Sequence, residues 1–322
     1  MVGFHAPKEP ATMPRLFVAA LILLLAPAAC RAAEFTVDKT DDGVAVKVDG
    51  KLFADYLFKS GSKPVLWPLM GPTDKRITRA WPMEKDVPGE TDKDHPHQRS
   101  MWFSHGDVNG IDFWSEGKGR IDHRELVEAE GGPQATIVTK NDWLSPDGSE
   151  LICQDERRYT FHADGDRRWI DVEIDIEAAD GPVVFGDTKE GSFGVRVASS
   201  MRVQQGVKVV GRIVNSEGQE NLAAWGKPAA WVDYSGPVEG ETLGVAIMNH
   251  PESFRFPTHW HVRVYGLFAA NPFGLSDFTG GESNGEYTLP EGETLKLRYR
   301  VLLHKGDEKE GRVAEMFEQY SK

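Results

Sequence analysis

The chain has 322 residues, 40% of them hydrophobic, and a formal net charge of -13. This length and apolar content suffice for a hydrophobic core, which excludes disorder of the whole chain. Nucleic-acid binding usually rests on clustered Lys and Arg side chains, so the acidic balance excludes nucleic acid as an expected partner.

Residues 1–33 have the order of charges and apolar residues that is typical of a secretory signal peptide. Lys8 and Arg15 precede the apolar run 16–29, and small residues follow up to Ala33. The run is shorter than the roughly 20 residues that span a bilayer, so we expect no integral membrane insertion. We predict cleavage near residue 33 and a mature protein that is periplasmic or secreted.

Two details of this leader stay open. Met13 is an alternative start, because the shorter leader from that residue keeps the basic, apolar and small-residue order. Cys30 makes lipoprotein anchoring an alternative to a simple cleaved leader. We expect this alternative less, because the residues before Cys30 lack the Leu that is usual in a lipoprotein cleavage site. Cleavage after Cys30 leaves Cys153 alone, which allows no intramolecular disulfide.

Alternating apolar and polar residues predict half-buried antiparallel strands along the mature chain. The alternation is clearest in 35–38, 44–48, 170–176 and 295–301. Short turns rich in Asp and Gly separate the strands, and helical periodicity is absent between them. This pattern favours an all-β fold, a large antiparallel β-sandwich, over a βαβ fold.

A short C-terminal helix is the exception. Val313, Met316, Phe317 and Tyr320 lie three and four residues apart, which predicts an amphipathic helix over 307–321. Because no repeat or composition shift divides the rest, we predict a single β-sandwich domain over 34–322.

Three segments break the alternation and carry polar and aromatic side chains: 90–114, 187–196 and 249–271. Loops of this kind on a rigid sheet are where sites usually form. The first contains His95, His97 and His105, and histidine can act as a base, an acid or a ligand near neutral pH.

A metal site is one interpretation of these histidines. His95 and His97 lie two residues apart, as do His259 and His261, and residues so spaced on a strand face the same side. Four imidazoles would suit a divalent transition metal. Because Arg99 follows the first pair and would repel a cation, we expect no metal cofactor. If a metal does bind, we expect these four histidines to be its ligands.

The aromatic residues favour a carbohydrate or another small polar ligand. Trp102 and Trp114 alternate with polar residues, and a sugar ring stacks on an aromatic face while polar groups bind its hydroxyls. The predicted substrate-binding residues are Trp102, Asn109, Asp112, Trp114, Trp231 and His259. Core packing is the alternative for each tryptophan.

Acid–base chemistry is the expected reaction type if the protein is an enzyme. Glu190 follows a turn-like sequence and is a candidate general base, or a surface acid paired with Lys189. Arg99 or Arg263 would steady developing negative charge. The predicted catalytic residues are His95, His97, Arg99, His105, Asp107, Glu190, His261, Arg263 and Tyr265.

Four motifs resemble a bacterial family labelled "methane oxygenase PmoA": HPHQRSMWFSHGDVNGIDFW from His95, WVDYSG from Trp231, NHP from Asn249 and HVRVYGLFAANPFG from His261. The resemblance covers roughly 35–303. The methane monooxygenase subunit of that name is an integral membrane protein, and this sequence has no spanning segment. We therefore do not expect methane oxidation.

The segment from His105 to Phe113 is similar to the His-Gly-Gly-x-x-Gly-Phe-Asp-Lys segment of the galactose mutarotase-like superfamily. This resemblance implies a large β-sandwich and places His105 beside the sugar. Asp107 and Phe113 depart from the glycine and lysine of the family pattern, and no late Glu stands in a recognisable context. The resemblance therefore implies the fold more strongly than a mutarotase activity.

The sequence thus predicts an exported β-sandwich protein that acts on carbohydrate by metal-independent proton transfer, as an epimerase, lyase or hydrolase. A metal-dependent hydrolase or oxygenase and a non-catalytic sugar-binding module are the alternatives. The density of residues that titrate near pH 7 favours an enzyme over a binding module.

Overall fold

A computed structural model describes residues 1–8, 33–90, 93–178, 180–205 and 208–322. Residues 1–31 and 32–322 form separate units, and residues 1–8 of the first are exposed and without regular structure. The predicted signal peptide and Cys30 fall largely on 9–32, outside the described residues. Their prediction stands as it was made.

The second unit is built almost entirely from antiparallel strands. In chain order they are β1 (Phe35–Lys39), β2 (Gly43–Val48), β3 (Lys51–Ser60), β4 (Lys63–Leu69), β5 (Met101–His105), β6 (Arg120–Glu130), β7 (Ala135–Leu144), β8 (Leu151–Asp164), β9 (Arg167–Glu177) and β10 (Val183–Phe185). They continue as β11 (Gly191–Arg196), β12 (Gln204–Gln205), β13 (Lys208–Val209), β14 (Arg212–Asn215), β15 (Trp231–Val238), β16 (Glu241–Asn249), β17 (His259–Val262), β18 (Leu267–Asn271), β19 (Tyr287–Leu289) and β20 (Thr294–Lys305).

Two eight-stranded sheets contain most of these strands. The first has the order β1-β2-β3-β4-β5-β11-β18-β17, and the second β14-β15-β16-β20-β9-β8-β7-β6. The pairs β10-β19 and β12-β13 are small separate ribbons. The four stretches of clearest alternation lie in β1, β2, β9 and β20, because alternating side chains let one face of a strand be buried.

The main hydrophobic core lies between the two sheets. Phe103, Phe193 and Phe268 of the first sheet belong to one buried cluster with Val172 and Tyr299 of the second. Phe193 and Tyr299 stack with ring centroids 4.7 Å apart. Because successive strand residues point to opposite faces, the neighbours of these residues in sequence face away from the core. Each sheet therefore has an outer face.

The predicted sandwich with a C-terminal helix is confirmed, but the helix is shorter than predicted. Helix α2 covers Val313–Tyr320, whereas residues 307–312 form turns in which the Asp307 carboxylate accepts hydrogen bonds from the backbone N–H groups of Lys309 and Glu310. Helical periodicity alone could not show that a side chain would hold this segment in a turn.

The remaining helices are short. Helix α1 covers Leu275–Thr279, and two 3₁₀ turns cover Ser199–Met201 and Asn221–Ala224. No helix within the described parts of the chain is long and apolar enough to cross a bilayer.

Candidate functional site

The outer face of the first sheet carries most of the predicted site residues. One row of paired residues crosses four neighbouring strands. Trp102 on β5 pairs with Gly194 on β11, Gly194 pairs with Ala269 on β18, and Ala269 pairs with His261 on β17. These four residues alternate with core residues along their strands and so share the outer face. We call this surface, together with Arg79, residues 94–97 and Trp114, the first outer face.

A cluster of tryptophans forms the floor of this face. Trp102 and Trp114 are 2% and 1% exposed, with ring centroids 5.1 Å apart, and they pack with Leu267 and Ala269. A Cβ atom at Gly194 would lie 2.9 Å from the Trp102 ring, so only glycine lets that ring lie across the strand. Both tryptophans are therefore fixed parts of the sheet surface rather than exposed platforms.

A hydrogen-bonded pair, Asp94 and His95, lies at the edge of this floor. The Asp94 Oδ2 atom accepts a hydrogen bond from His95 Nδ1 at 2.7 Å, and the two side chains are 39% and 40% exposed. Because Nδ1 donates its proton to the carboxylate, the Nε2 atom of neutral His95 holds the lone pair. This arrangement orients an imidazole and leaves its other nitrogen free to exchange a proton.

Two buried arginines hold the Asp94 carboxylate. Arg79 Nη1 and Arg196 Nη2 donate to Asp94 Oδ1 at 2.6 and 3.1 Å. Partial burial alone would raise the pKa of Asp94, but the charges of Arg196 and Arg79 and the hydrogen bond from His95 lower it to about 2. The carboxylate therefore stays ionised at neutral pH and keeps His95 in one tautomer.

Tyr265 supports the other side of this pair. Its ring stacks on the His95 ring at 5.2 Å, and the guanidinium groups of Arg196 and Arg263 lie 4.7 and 5.8 Å from its centroid. Tyr265 follows β17 in the turn before β18, so the sheet register fixes its position. Restricting the imidazole on one face favours a single approach for a ligand on the other.

His97 and Lys63 lie beside the tryptophans. The His97 ring is 5.7 Å from the His95 ring and 6.3 Å from the Trp114 ring. Burial and then the charge of Lys63 lower the pKa of His97 to about 4. Lys63 is itself fully buried, donates to the Trp114 carbonyl oxygen at 2.6 Å, and has a pKa lowered by burial to about 8. Near pH 7 His97 is therefore neutral and Lys63 largely charged.

His261 provides a second oriented imidazole on the same face. Its Nδ1 atom donates to the Lys189 carbonyl oxygen at 2.8 Å, which leaves Nε2 as an acceptor. Burial, reinforced by the charge of Arg263, lowers the pKa of His261 to about 4. His261 is therefore neutral at physiological pH.

Four predicted polar residues organise the loops instead. Asp107 Oδ1 accepts from the Gly110 N–H, and Asn109 Oδ1 from the Val184 N–H. Asp112 Oδ1 accepts from the Trp114 and Ser115 N–H groups, as in an Asx turn. Arg99 donates to Glu116 at 3.0 Å and to Ser60 at 3.1 Å. Their side chains shape the loop that carries Trp114.

His105 does not reach the first outer face, which corrects the position expected from its resemblance. It is fully buried on the core side of β5, where Nε2 donates to the Gly186 carbonyl oxygen at 2.8 Å and Nδ1 accepts from the Ser192 hydroxyl at 3.3 Å. Its ring packs against Phe185 and Phe273. A sugar cannot contact this imidazole in the structure.

Three other predicted residues also lie apart from the Asp94–His95 pair. Trp231 belongs to the second sheet and packs beneath α2, so its position gives no support to its predicted role in substrate binding. His259 stacks on Phe278 at 6.0 Å. Glu190 lies beside β11, half-exposed, with Lys189 Nζ at 3.7 Å, which is the surface ion pair anticipated as its alternative.

The two His-x-His pairs have different surroundings. His259 and His261 share one face of β17 as predicted, whereas His95 and His97 lie in a turn rather than on a strand. Among the described residues, no group of three or more His, Cys, Asp and Glu side chains is arranged to hold a metal ion. The four-histidine site therefore gains no geometric support.

Sequence reasoning missed the charged residues that surround His95 and His97. Arg79, Arg196 and Lys63 are buried charged side chains on strand-like or loop sequence, and nothing in their local pattern distinguishes them from surface residues. Asp94 lies in the segment 90–114 but is not among the predicted site residues. The signal that could have found it is its position directly before a histidine in a loop.

Residues 43–318 match a family of unknown function, DUF6807. The chain belongs to this family. No curated protein matches the sequence. The family description names no activity, and the resemblance to the family labelled PmoA stays a prediction.

Several solved structures are similar to this chain at low identity. The match to an α-galactosidase from Lactobacillus brevis has 9% identity and a TM-score of 0.40, and it covers 86% of this chain and 40% of the galactosidase. A galactose mutarotase-like protein from Lactobacillus casei has 8% identity and a TM-score of 0.34, covering 84% and 100%. A 4-α-glucanotransferase from Thermococcus litoralis has 9% identity and a TM-score of 0.31, covering 86% and 40%. This chain therefore spans less than half the length of the α-galactosidase and of the glucanotransferase.

Proposed function

We propose that the protein binds a carbohydrate on the first outer face and transfers a proton on it, with His95 as general acid–base and Asp94 as its positioning residue. The observation that carries this proposal is the Asp94–His95 hydrogen bond of 2.7 Å, between two side chains that are 39% and 40% exposed beside the buried tryptophan floor. The reaction class is an epimerase, lyase or hydrolase, and no metal is required for it.

The pair meets the physical requirements of an acid–base group. A general base must be oriented, must present a free nitrogen and must be reachable by a ligand. Asp94 and Tyr265 orient the imidazole, and its 40% exposure leaves it reachable. Arg79 and Arg196 are positioning residues, because they act through the Asp94 carboxylate.

His261 and Tyr265 supply polar groups for the ligand on the same face. The acceptor Nε2 of His261 can receive a sugar hydroxyl, and Tyr265 offers both a ring edge and a hydroxyl.

The test uses the intact protein and ¹H NMR of mono- and oligosaccharides in D₂O. Solvent deuterium entering at a sugar carbon, faster exchange of anomers, a new unsaturated product or a new reducing end would each reveal one of the three reaction classes. We expect His95→Gln to lower the rate by about 10²- to 10⁴-fold, the usual contribution of one acid–base group.

His162→Gln is the matched control, because His162 Nε2 lies 3.3 Å from Asp171 Oδ2 on the second sheet. It removes an imidazole–carboxylate contact of similar kind far from the first outer face. Equal loss of rate in both variants would contradict the assignment of His95. Sugar binding without any turnover would show a binding module instead.

We also propose that the protein is exported by its predicted leader. N-terminal sequencing of protein from the periplasm and the medium should find a chain that begins near Glu34. Recovery of a full-length chain confined to the cytoplasm would contradict export. Partition of the protein into detergent that is abolished by Cys30→Ser would show lipid anchoring.

A further inference from the structure

A tight turn carries the exposed imidazole of the first outer face. The backbone N–H of Gln98 donates to the His95 carbonyl oxygen at 3.0 Å, which closes a β-turn over residues 95–98. Pro96 occupies the second position of this turn, which proline suits because its ring fixes φ at about −65°. The turn brings the rings of His95 and His97 to 5.7 Å, at an interplanar angle of 77°. It therefore sets the positions of both imidazoles.

The first residue of the turn has a strained backbone. His95 has a φ of +43°, in the left-handed region, where the Cβ atom of an L-residue crowds the following carbonyl oxygen. A following proline also restricts the residue before it to extended backbone, and Pro96 follows His95. Such conformations persist only where the surrounding structure fixes them. Contacts around His95 must therefore hold it in this one.

Two buried arginines bind the turn from behind. Arg79 Nη2 donates to the carbonyl oxygen of His95 at 3.0 Å and to that of Gln98 at 3.3 Å. Arg196 Nη1 donates to the Gln98 side-chain oxygen Oε1. Both guanidinium groups also donate to Asp94 Oδ1. They thus connect the backbone of the turn to the carboxylate that orients the imidazole.

Gln98 closes this network at two points. Its backbone N–H binds the strained residue, and its side-chain oxygen binds Arg196. The side chain is 1% exposed, so water cannot readily replace that oxygen as an acceptor for the guanidinium. Loss of the oxygen would leave Arg196 free to turn away from the loop. The backbone of His95 would then lose part of what holds it.

We propose that Gln98 is a positioning residue for proton transfer by His95. Through Arg196 and the β-turn it holds His95 in the left-handed conformation and so fixes the direction of the imidazole. The inference rests on the proposed function for the role of His95 in chemistry. Because Gln98 lies behind the turn and is buried, it acts through His95 and does not touch the ligand.

Paired substitutions at position 95 measure the strain in the intact protein without any ligand. His95→Gly and His95→Ala both remove the imidazole, but only glycine adopts a positive φ without strain. We expect the glycine variant to have a Tm about 2–4 °C higher than the alanine variant. At an ordinary position glycine is the less stable of the two. An alanine variant as stable as the glycine variant would overturn the strain, and with it the proposal.

Gln98→Met tests what maintains that strain. It removes the side-chain acceptor and keeps a side chain of similar length. We expect the difference in Tm between glycine and alanine at position 95 to shrink in the Gln98→Met background, because the turn can then relax. Glu239 is the matched control position, since it has a φ of +48° in the exposed turn between β15 and β16. The difference between glycine and alanine there should not change. An undiminished difference at position 95 overturns the role of Gln98.

Activity separates positioning from a purely structural role. With a sugar that the wild type turns over, Gln98→Met should lower kcat about 10- to 100-fold, the effect of a misplaced catalytic group, and leave KM nearly unchanged. Gln98→Glu should keep most of the wild-type kcat, because its carboxylate can still accept from Arg196. An unchanged kcat in Gln98→Met, an equal loss in both variants, or failure of Gln98→Met to fold where Gln98→Glu folds would each overturn the positioning role.

The inference and the proposed function fail in different measurements. If the wild type turns over a sugar and the Tm difference at position 95 does not depend on Gln98, only the inference about Gln98 fails. If the wild type turns over no sugar, the assignment of His95 to chemistry fails first. The Tm comparison then still shows whether Gln98 holds the turn.

Discussion

The two outer faces of the sandwich each carry a histidine and an aspartate that share a hydrogen bond of 2.7 Å. On the first face the pair is Asp94 and His95, and both side chains are about two-fifths exposed. On the second face it is Asp233 and His304, and both are fully buried. The same hydrogen bond can therefore serve proton exchange in one place and packing in the other, and access to solvent decides which.

What covers the second pair is the C-terminal segment. A Cβ atom at Gly311 would lie 2.2 Å from the His304 ring, so the turn before α2 rests directly on the imidazole. Val313 and Met316 of α2 then pack with Trp231 and Met248 of the second sheet. Within the described residues, no helix packs on the tryptophan cluster of the first face, where loops that carry polar side chains take its place.

Removal of each histidine should give the largest contrast between the faces. His304→Ala leaves the Asp233 carboxylate buried without its partner, and breaking a buried pair in this way costs about 3–5 kcal/mol. His95→Ala leaves an Asp94 that still accepts hydrogen bonds from two arginines and is partly exposed, and we expect a loss of about 1 kcal/mol or less. Urea unfolding followed by circular dichroism measures both free energies.

The roles should reverse in the activity assay. His95→Ala should abolish most turnover, whereas His304→Ala should keep its rate per folded molecule. A comparable loss of stability in the two variants would mean that the Asp94–His95 pair is structural and would contradict its assignment to chemistry.

The two predicted sugar-binding tryptophans provide the next contrast. Trp102→Phe and Trp231→Phe each remove a similar part of a buried indole, so each should destabilise the fold by about 1–3 kcal/mol. Only Trp102→Phe should weaken sugar binding, because Trp231 lies beneath α2 on the other sheet. Thermal unfolding together with titration of a sugar measures both effects. Weaker sugar binding by Trp231→Phe would place the ligand on the second sheet and would contradict a site on the first outer face.

Local sequence patterns predicted the fold well because period-two burial is a local property. Residues 170–176 and 295–301 alternate apolar and polar, and they pair with each other as β9 and β20. The loop around His95 was also found, because it interrupts this alternation with histidines and tryptophans. The sequence thus locates a polar surface on a sandwich without any knowledge of distant contacts.

The roles within that surface depend on partners far along the chain. Asp94 is held by Arg79, 15 residues away, and by Arg196, 102 residues away, which no local pattern reveals. His105 was misplaced because its orientation depends on which parity of β5 faces the core, and pairing with β11 sets that parity. The position of Trp231 on the second sheet could not be predicted either, because the sheet to which a strand belongs is a tertiary property.

The smallest expected effect is a difference in how pH acts on the two pairs. Burial alone would lower the pKa of His304, but the charge of Asp233 and the hydrogen bond to it raise that pKa above 6.5. The stability contributed by His304 is therefore fully present below pH 6.5 and lost as pH rises through its pKa in the folded protein. The pKa of Asp94 is lowered to about 2, so its contribution is present above pH 3.8 and lost as pH falls through about 2.

Urea midpoints of the wild type, His304→Gln and Asp94→Asn between pH 2 and 9 test this difference. The stability gap between wild type and His304→Gln should narrow toward high pH, and the gap for Asp94→Asn should narrow toward low pH. Because Asp94 is partly exposed, solvent screens its interactions and its gap should be the smaller of the two. If the stability differences of both variants from the wild type narrowed at the same end of the pH range, the two pairs would respond to pH in the same way. They would then differ in exposure but not in electrostatics, which contradicts the comparison drawn here.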